Sequence, residues 1–206
     1  MITVIDYGAG NCGSVIRMIE KIGGRARRAS SAADVDVAEK IIVPGVGAFD
    51  YGMNQLASVG LIDALNSAAN VRRIPVLGIC LGMQLMCKAS EEGRLPGLGW
   101  IDAHVRRFAF DDAEKLPIPH MGWNTLTLIR PDALVRTMSP RARYYFVHSY
   151  KVICNDPDDV VATTNYGGEF VSLFSRQNIF GAQFHPEKSH KFGMDMLRNF
   201  MELERA

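Results

Sequence analysis

The 206-residue chain predicts an α/β protein: an open mixed, mostly parallel sheet flanked by helices, with an antiparallel extension in the C-terminal half. Three observations carry this. Through the first hundred residues, short apolar runs of strand length alternate with segments of helical period. Each run ends in a turn rich in glycine, where a parallel sheet changes to its crossover. Beyond residue 100 the runs follow one another without helices between them, as hairpins and meanders do.

The elements follow in order. The run Ile2 to Ile5 breaks at Asp6-Tyr7-Gly8-Ala9-Gly10-Asn11, and Val15, Met18, Ile19 and Ile22 then recur at helical spacing until Gly23-Gly24. A second run, Ile41 to Val43, ends in the turn Pro44-Gly45-Val46-Gly47; a third, Ile74 to Ile79, leads into Cys80. Later strand candidates are Val105 to Phe108, Leu126 to Ile129, Tyr144 to His148, Val160 to Thr164, Phe170 to Phe174 and Ile179 to Phe184, all predicted to extend the same sheet. An amphipathic helix from about Gly193 to Leu203 closes the chain. No repeat, low-complexity tract or linker interrupts it, so one domain over residues 1–206 is expected.

The charge balance, 23 basic against 22 acidic residues, gives no overall field for holding nucleic acid or an anionic membrane. Arg25, Arg27 and Arg28 form a local basic knot that reads as a solvated face. No apolar run approaches the roughly 18 residues that span a bilayer, and the start MITVIDYGAGN lacks the marks of a secretory leader, which predicts a cytoplasmic protein. The four cysteines, Cys12, Cys80, Cys87 and Cys154, are scattered without metal or redox spacing. Cys87, seven residues after Cys80, is expected two turns along on the same helix face and buried.

Cys80 is different from the rest. Gly78-Ile79-Cys80-Leu81-Gly82, between an apolar strand and a helix, has the form of a nucleophile elbow, a strained turn that lifts one side chain above the sheet. The flanking glycines give clearance where strand and helix pass closely, and the N–H groups of a helix start favour the reactive thiolate. The bland alternative is a buried cysteine in a glycine-rich packing site. A nucleophile needs a general base, and among five histidines His185 is followed two residues on by a carboxylate, in Gln183-Phe184-His185-Pro186-Glu187. Extended backbone would place His185 and Glu187 on one side, with Pro186 fixing the local dihedral, so Cys80, His185 and Glu187 read as a catalytic triad. For the oxyanion, the N–H of Leu81 is one candidate donor and the turn Pro44-Gly45-Val46-Gly47 the source of another.

The motifs LGICLGMQ (77–84) and QFHPEKS (183–189) together resemble the class I, triad-type glutamine amidotransferases, whose flavodoxin-like domain hydrolyses glutamine to glutamate and passes ammonia to a synthase. DYGAGN (6–11), PGVGAF (44–49), PHMGWN (119–124) and YFVHSY (145–150), in that order, are similar to the glutaminase type that serves imidazole glycerol phosphate synthase in histidine biosynthesis. The resemblance implies the N–H of Val46, with Leu81, as the oxyanion hole, the former turned away until the synthase is engaged. It implies that Gln84 and Glu91 hold glutamine, helped by the backbone of Gly47 and of His148, Ser149 and Tyr150. It places Trp123, Tyr145 and Lys188 at the interface with a HisF-like (β/α)8-barrel cyclase, in a heterodimer. Trp123 beside Gly122 could equally pack in the core. No metal and no organic cofactor is expected. The end segment KSHKFGMDMLRNF (188–200) and HSYK (148–151) also point to paralogues that supply ammonia to a sugar amidotransferase in surface-polysaccharide synthesis. A cysteine peptidase of related fold would typically carry histidine after the nucleophile, where this chain has Leu81.

Overall fold

A computed structural model describes residues 1–110 and 116–204. Strands β1 (Ile2–Ile5), β2 (Ala26–Ala29), β3 (Lys40–Gly45) and β4 (Val76–Cys80) lie parallel, and β1, β3 and β4 are buried along almost their whole length. Side chains alternate across them: Ile41 and Val43 join the apolar cluster on one face, Ile42 and Leu77 that on the other. The sheet runs β2-β1-β3-β4 and continues through β13 (Ile179–Ala182), β12 (Glu169–Arg176), β10 (Tyr150–Cys154), β6 (Ala103–Arg107) and the two-residue β5 (Ala89–Ser90), with β11 (Val160–Asn165) branching from β12 and the two-residue β8 (Thr127–Leu128) pairing with β11. β13 is parallel to β4, and the neighbours β13, β12, β10 and β6 are antiparallel in turn. The mostly parallel sheet with an antiparallel extension is the fold class that the sequence predicts.

Helices cover both faces. On one, α1 (Cys12–Lys21) buries Val15 and Ile19 beside α6 (His190–Met201), which contributes Met196, Leu197 and Phe200. Asn11 caps α1, its side chain accepting from Ser14 N–H at 3.1 Å. On the other, α3 (Phe49–Ser58) and α4 (Ile62–Asn66) bury Phe49, Met53, Leu56 and Leu65 beside the short α2 (Ala32–Asp36).

In the basic knot Arg25 and Arg28 are exposed, as a solvated face requires, while Arg27 and Arg28 lie in β2, where Arg27 donates to Asp34 O of α2 at 2.6 Å and Arg28 pairs with Asp6 at 2.9 Å. Three features depart from the sequence reading. β9 (Tyr144–His148) does not join the main sheet; it pairs antiparallel with β7 (His120–Asn124) in a separate ribbon. β7 escapes a pattern search because Pro119 precedes it and Gly122 takes φ +133° within it. β3 runs through Pro44 to Gly45, which lies in register with Cys80, so the expected turn begins two residues later. The helix after Cys80, α5 (Leu81–Leu85), stops before Cys87, which is buried on the opposite side of the sheet from Cys80 and not on a shared helix face.

Candidate active site

Cys80, the last residue of β4, takes φ +54° and ψ −109°. A β-carbon-bearing residue held there is strained, and such strain persists only where surrounding structure imposes it. The flanking glycines show how. A β-carbon on Gly78 would stand 2.6 Å from the carbonyl oxygen of Gly82, and one on Gly82 would collide with that of Val43. Strand and helix can therefore approach only without side chains at these two positions, and Cys80 is lifted into a cleft of about 560 Å³.

Behind the sulfur, His185 Nδ1 lies 2.8 Å from Glu187 Oε1, with both side chains buried. The pair is not held by extended backbone as the spacing suggests. His185 is extended, but Pro186 opens a single 3₁₀ turn (Pro186–Lys188) that folds Glu187 back under the ring. Ser189 clamps this turn, its hydroxyl donating to His185 O at 2.6 Å and accepting from Tyr145 N–H at 3.0 Å. Nε2 of His185 is buried without a hydrogen-bond partner among the described residues, free for the thiol. Burial alone would lower the His185 pKa, but the Cys80 thiol and the Glu187 carboxylate outweigh it and lift the imidazole to about 9. A histidine so raised accepts a proton readily, which is what a base beside a thiol must do.

Most of the predicted site residues gather around the same cleft: Val46, Gly47, Leu81, Gln84, His148, Ser149 and Tyr150 line it with Cys80. Leu81 opens α5, although at five residues this helix has little dipole of its own. The N–H of Val46 is already engaged, donating to Ala9 O at 2.7 Å. Gly47 beside it takes φ +105°, which glycine adopts without strain. The imidazole of His148 is buried and neutral: desolvation pulls its pKa down to about 3, and its Nδ1 lies 2.7 Å from Tyr150 O.

Glu91 is the exception. Its carboxylate is exposed and turned outward, accepting from Arg107 N–H at 2.9 Å, and it is not among the residues lining the cleft. The carboxylate at the cleft belongs to Glu92, which accepts from Phe49 N–H at 2.9 Å and whose pKa is raised by burial and by Asp50 nearby. The sequence carried no local signal for this: Glu91 and Glu92 both lie in the turn after β5, where strand alternation has ended, and the side each faces is set by its distant partners, Arg107 N–H and Phe49 N–H. Ser90 also fixes the local turn, its hydroxyl accepting from Glu92 N–H at 3.1 Å. Ala48, Pro119 and Val147 complete the lining and are not among the site residues that the sequence predicts.

Trp123 is 45% exposed on β7 and is not core. It stacks flat on His190, with ring centroids 5.3 Å apart, and meets Tyr145 edge-on, while Lys188 Nζ lies 5.7 Å above the Tyr145 ring. The three predicted interface residues thus form one outward-facing cluster, with Met121 exposed on the same strand. A larger groove over Leu128, Ile129 and Met138 shares no lining residue with the cleft. Its Arg130 is taken up by Asp158 O and Ser175, which leaves it structural. Among the described residues, no group of three His, Cys, Asp or Glu side chains is placed to hold a metal ion, and no helix is long and apolar enough to cross a membrane.

This combination of strained cysteine, buried His-Glu pair and cleft agrees with the comparisons. The chain is 48% identical over 203 residues to the imidazole glycerol phosphate synthase subunit HisH 2 of Pseudomonas aeruginosa, covering 98% of this chain and 100% of the relative. It is 49% identical over 202 residues to the subunit of the same name from Methanococcus maripaludis, covering 98% and 99%. A crystal structure described as a glutamine amidotransferase superposes with a TM-score of 0.74 at 18% identity, covering 98% of each chain, which supports the fold alone. The family model described as glutamine amidotransferase class-I matches residues 3–203, and with a strained cysteine set before a buried histidine-carboxylate pair, the chain belongs to that family.

Proposed function

We propose that this chain, working as one domain over residues 1–206, is the glutaminase subunit of an imidazole glycerol phosphate synthase. It hydrolyses L-glutamine to L-glutamate and delivers ammonia to a partner subunit in histidine biosynthesis. The observation that carries the chemistry is the His185 Nδ1 to Glu187 Oε1 contact of 2.8 Å, with Nε2 left free behind a strained Cys80. The names of relatives 48 and 49% identical over the whole length support the synthase over a sugar-modifying acceptor.

The geometry supports the following steps. His185 takes the Cys80 proton and the thiolate attacks the side-chain amide carbon of glutamine, forming a C–S bond as the carbonyl becomes an oxyanion. Leu81 N–H and, after the 45–46 peptide rotates, Val46 N–H stabilise that oxyanion. The imidazolium gives its proton to the amide nitrogen, the C–N bond breaks and ammonia leaves. Water, deprotonated by His185, attacks the thioester; the C–S bond breaks and glutamate forms. Glu187 holds the ring in one tautomer throughout. Gln84 and Glu92 on the cleft wall, with the backbone of Gly47, His148, Ser149 and Tyr150, hold the substrate, Glu92 facing its ammonium group.

Ammonia freed into water is protonated and lost as a nucleophile, so an acceptor must dock over the cleft. The partner we propose is a HisF-like (β/α)8-barrel cyclase in a heterodimer, seated on Trp123, Tyr145 and Lys188. All the reactants are soluble metabolites, which supports action in the cytoplasm. The test is glutamate release by the chain alone, then with its cyclase and that subunit's ribonucleotide. Strong stimulation is expected, with a fall of at least about 10³-fold in Cys80→Ala. Glutamate release retained in Cys80→Ala would dismiss Cys80 as the nucleophile.

A further inference from the structure

Gln183 has no part in the reading above. It is fully buried just after β13, its backbone N–H donating to Ser172 O at 3.0 Å. Its side-chain amide stands 3.7 Å from Cys80 Sγ, within reach of an N–H to sulfur hydrogen bond. Which end of the amide faces the sulfur is decided by the network. The Tyr150 carbonyl only accepts, so the end of Gln84 lying 3.3 Å from it is the NH₂. That NH₂ also lies 2.9 Å from Gln183, whose end there must be the oxygen, and the end of Gln183 left for the sulfur is the donor. One backbone carbonyl thereby orients two side chains in series.

We propose that Gln183 is a positioning residue for the nucleophile: its amide N–H donates to Cys80 Sγ, stabilising the thiolate and fixing its direction into the cleft, while Gln84 locks the amide in that orientation. The proposal rests on Cys80 being the nucleophile. A thiol sulfur is a weak acceptor and a thiolate a strong one, so a fixed donor favours the charged form selectively. Gln183 and His185 are two apart and both reach toward Cys80, whereas Phe184 between them is wholly buried in the apolar cluster. The segment after β13 thus presents a donor and a base to one sulfur and anchors itself by the residue between them. Both hydrogens of Gln84 are committed, so the hydrogen-bonding capacity left to this cleft-lining side chain is that of its oxygen, an acceptor for glutamine. Substrate binding and sulfur orientation share one amide.

The test needs neither substrate nor partner. Alkylation of Cys80 by iodoacetamide, read by mass spectrometry of its peptide in the full chain from about pH 5 to 9.5, reports the thiolate fraction. Gln183→Met keeps the volume and removes the donor. Its alkylation midpoint should rise by about one pH unit, cutting the rate roughly tenfold on the acid side. An unchanged midpoint overturns the proposal. Should Gln183→Met fail to fold, the wild-type chain decides: the side-chain amide resonance of Gln183 should shift as Cys80 titrates and stay fixed in Cys80→Ser. A resonance indifferent to Cys80 also overturns it. Glutamate release by Cys80→Ala judges the nucleophile separately, so the two readings can fail independently.

Discussion

Glu91 and Glu92 are neighbours of the same chemistry, and their surroundings give them different work. Glu91 is exposed beside Arg106 and Arg107, where an ion pair contributes little. Glu92 is part of the cleft wall and its proton affinity is raised by burial. A carboxylate whose charge is poorly solvated gains most from an ammonium group placed against it. Glu92→Gln should therefore raise KM for glutamine by tenfold or more with a smaller change in kcat, while Glu91→Gln leaves both within about twofold. Steady-state glutamate release in the assembled complex measures the difference, and equal effects of the two substitutions would contradict the assignment of Glu92.

At the scale of elements, the proposed mechanism turns on the end of β3. The strand brings Gly45 into register with Cys80 and then releases the chain at Val46, whose N–H is tied to Ala9 O in the segment after β1. If the oxyanion takes two N–H donors, as we propose, the Val46 N–H joins Leu81 only after the peptide between Gly45 and Val46 rotates away from Ala9. A β-branched side chain restricts that rotation, and the hydrogen bond to Ala9 opposes it. Val46→Gly should raise glutamate release by the chain without its partner several-fold and reduce the factor by which the partner stimulates. An unchanged partner-free rate would place the slow step elsewhere.

At the scale of the molecule, burial limits stability on the acid side of neutrality and the partners of His185 limit it on the alkaline side. His120 and His148 lie 3.0 Å apart beneath the β7–β9 ribbon, and desolvation lowers them to about 4 and about 3. Unfolding releases both to ordinary values near 6.5, so below that pH the unfolded chain binds more protons and stability falls as pH drops toward 4. His185 behaves oppositely. Its folded value of about 9 exceeds the unfolded one, so the folded chain holds the extra proton and that stabilisation is lost as pH rises from 6.5 through 9. The melting temperature should peak near pH 6.5 and decline on both sides. His120→Gln should flatten the acid limb and His185→Gln the alkaline one, as thermal melts across the range would show; limbs unaltered by either substitution would refute the assignment.

The local order of the polypeptide settled much of this in advance. Apolar runs of strand length, glycines on either side of Cys80 and a carboxylate two residues after His185 are patterns of residue type and spacing complete within a few residues, and such patterns can be read before the chain is folded. What sequence alone left open depends on packing between distant segments. Nothing local says that Glu92 rather than Glu91 meets the cleft, since the turn after β5 is fixed by Phe49 N–H some forty residues away. Nothing local pairs β9 with β7, because a ribbon forms only when both strands are placed edge to edge. The orientation of Gln183 toward Cys80 is decided by the Tyr150 carbonyl acting through Gln84, three segments joined only in the folded chain. Chemistry that rests on residue type and short spacing was legible in the sequence, whereas the direction each group faces was decided by tertiary contacts that supply or withhold its hydrogen-bond partners.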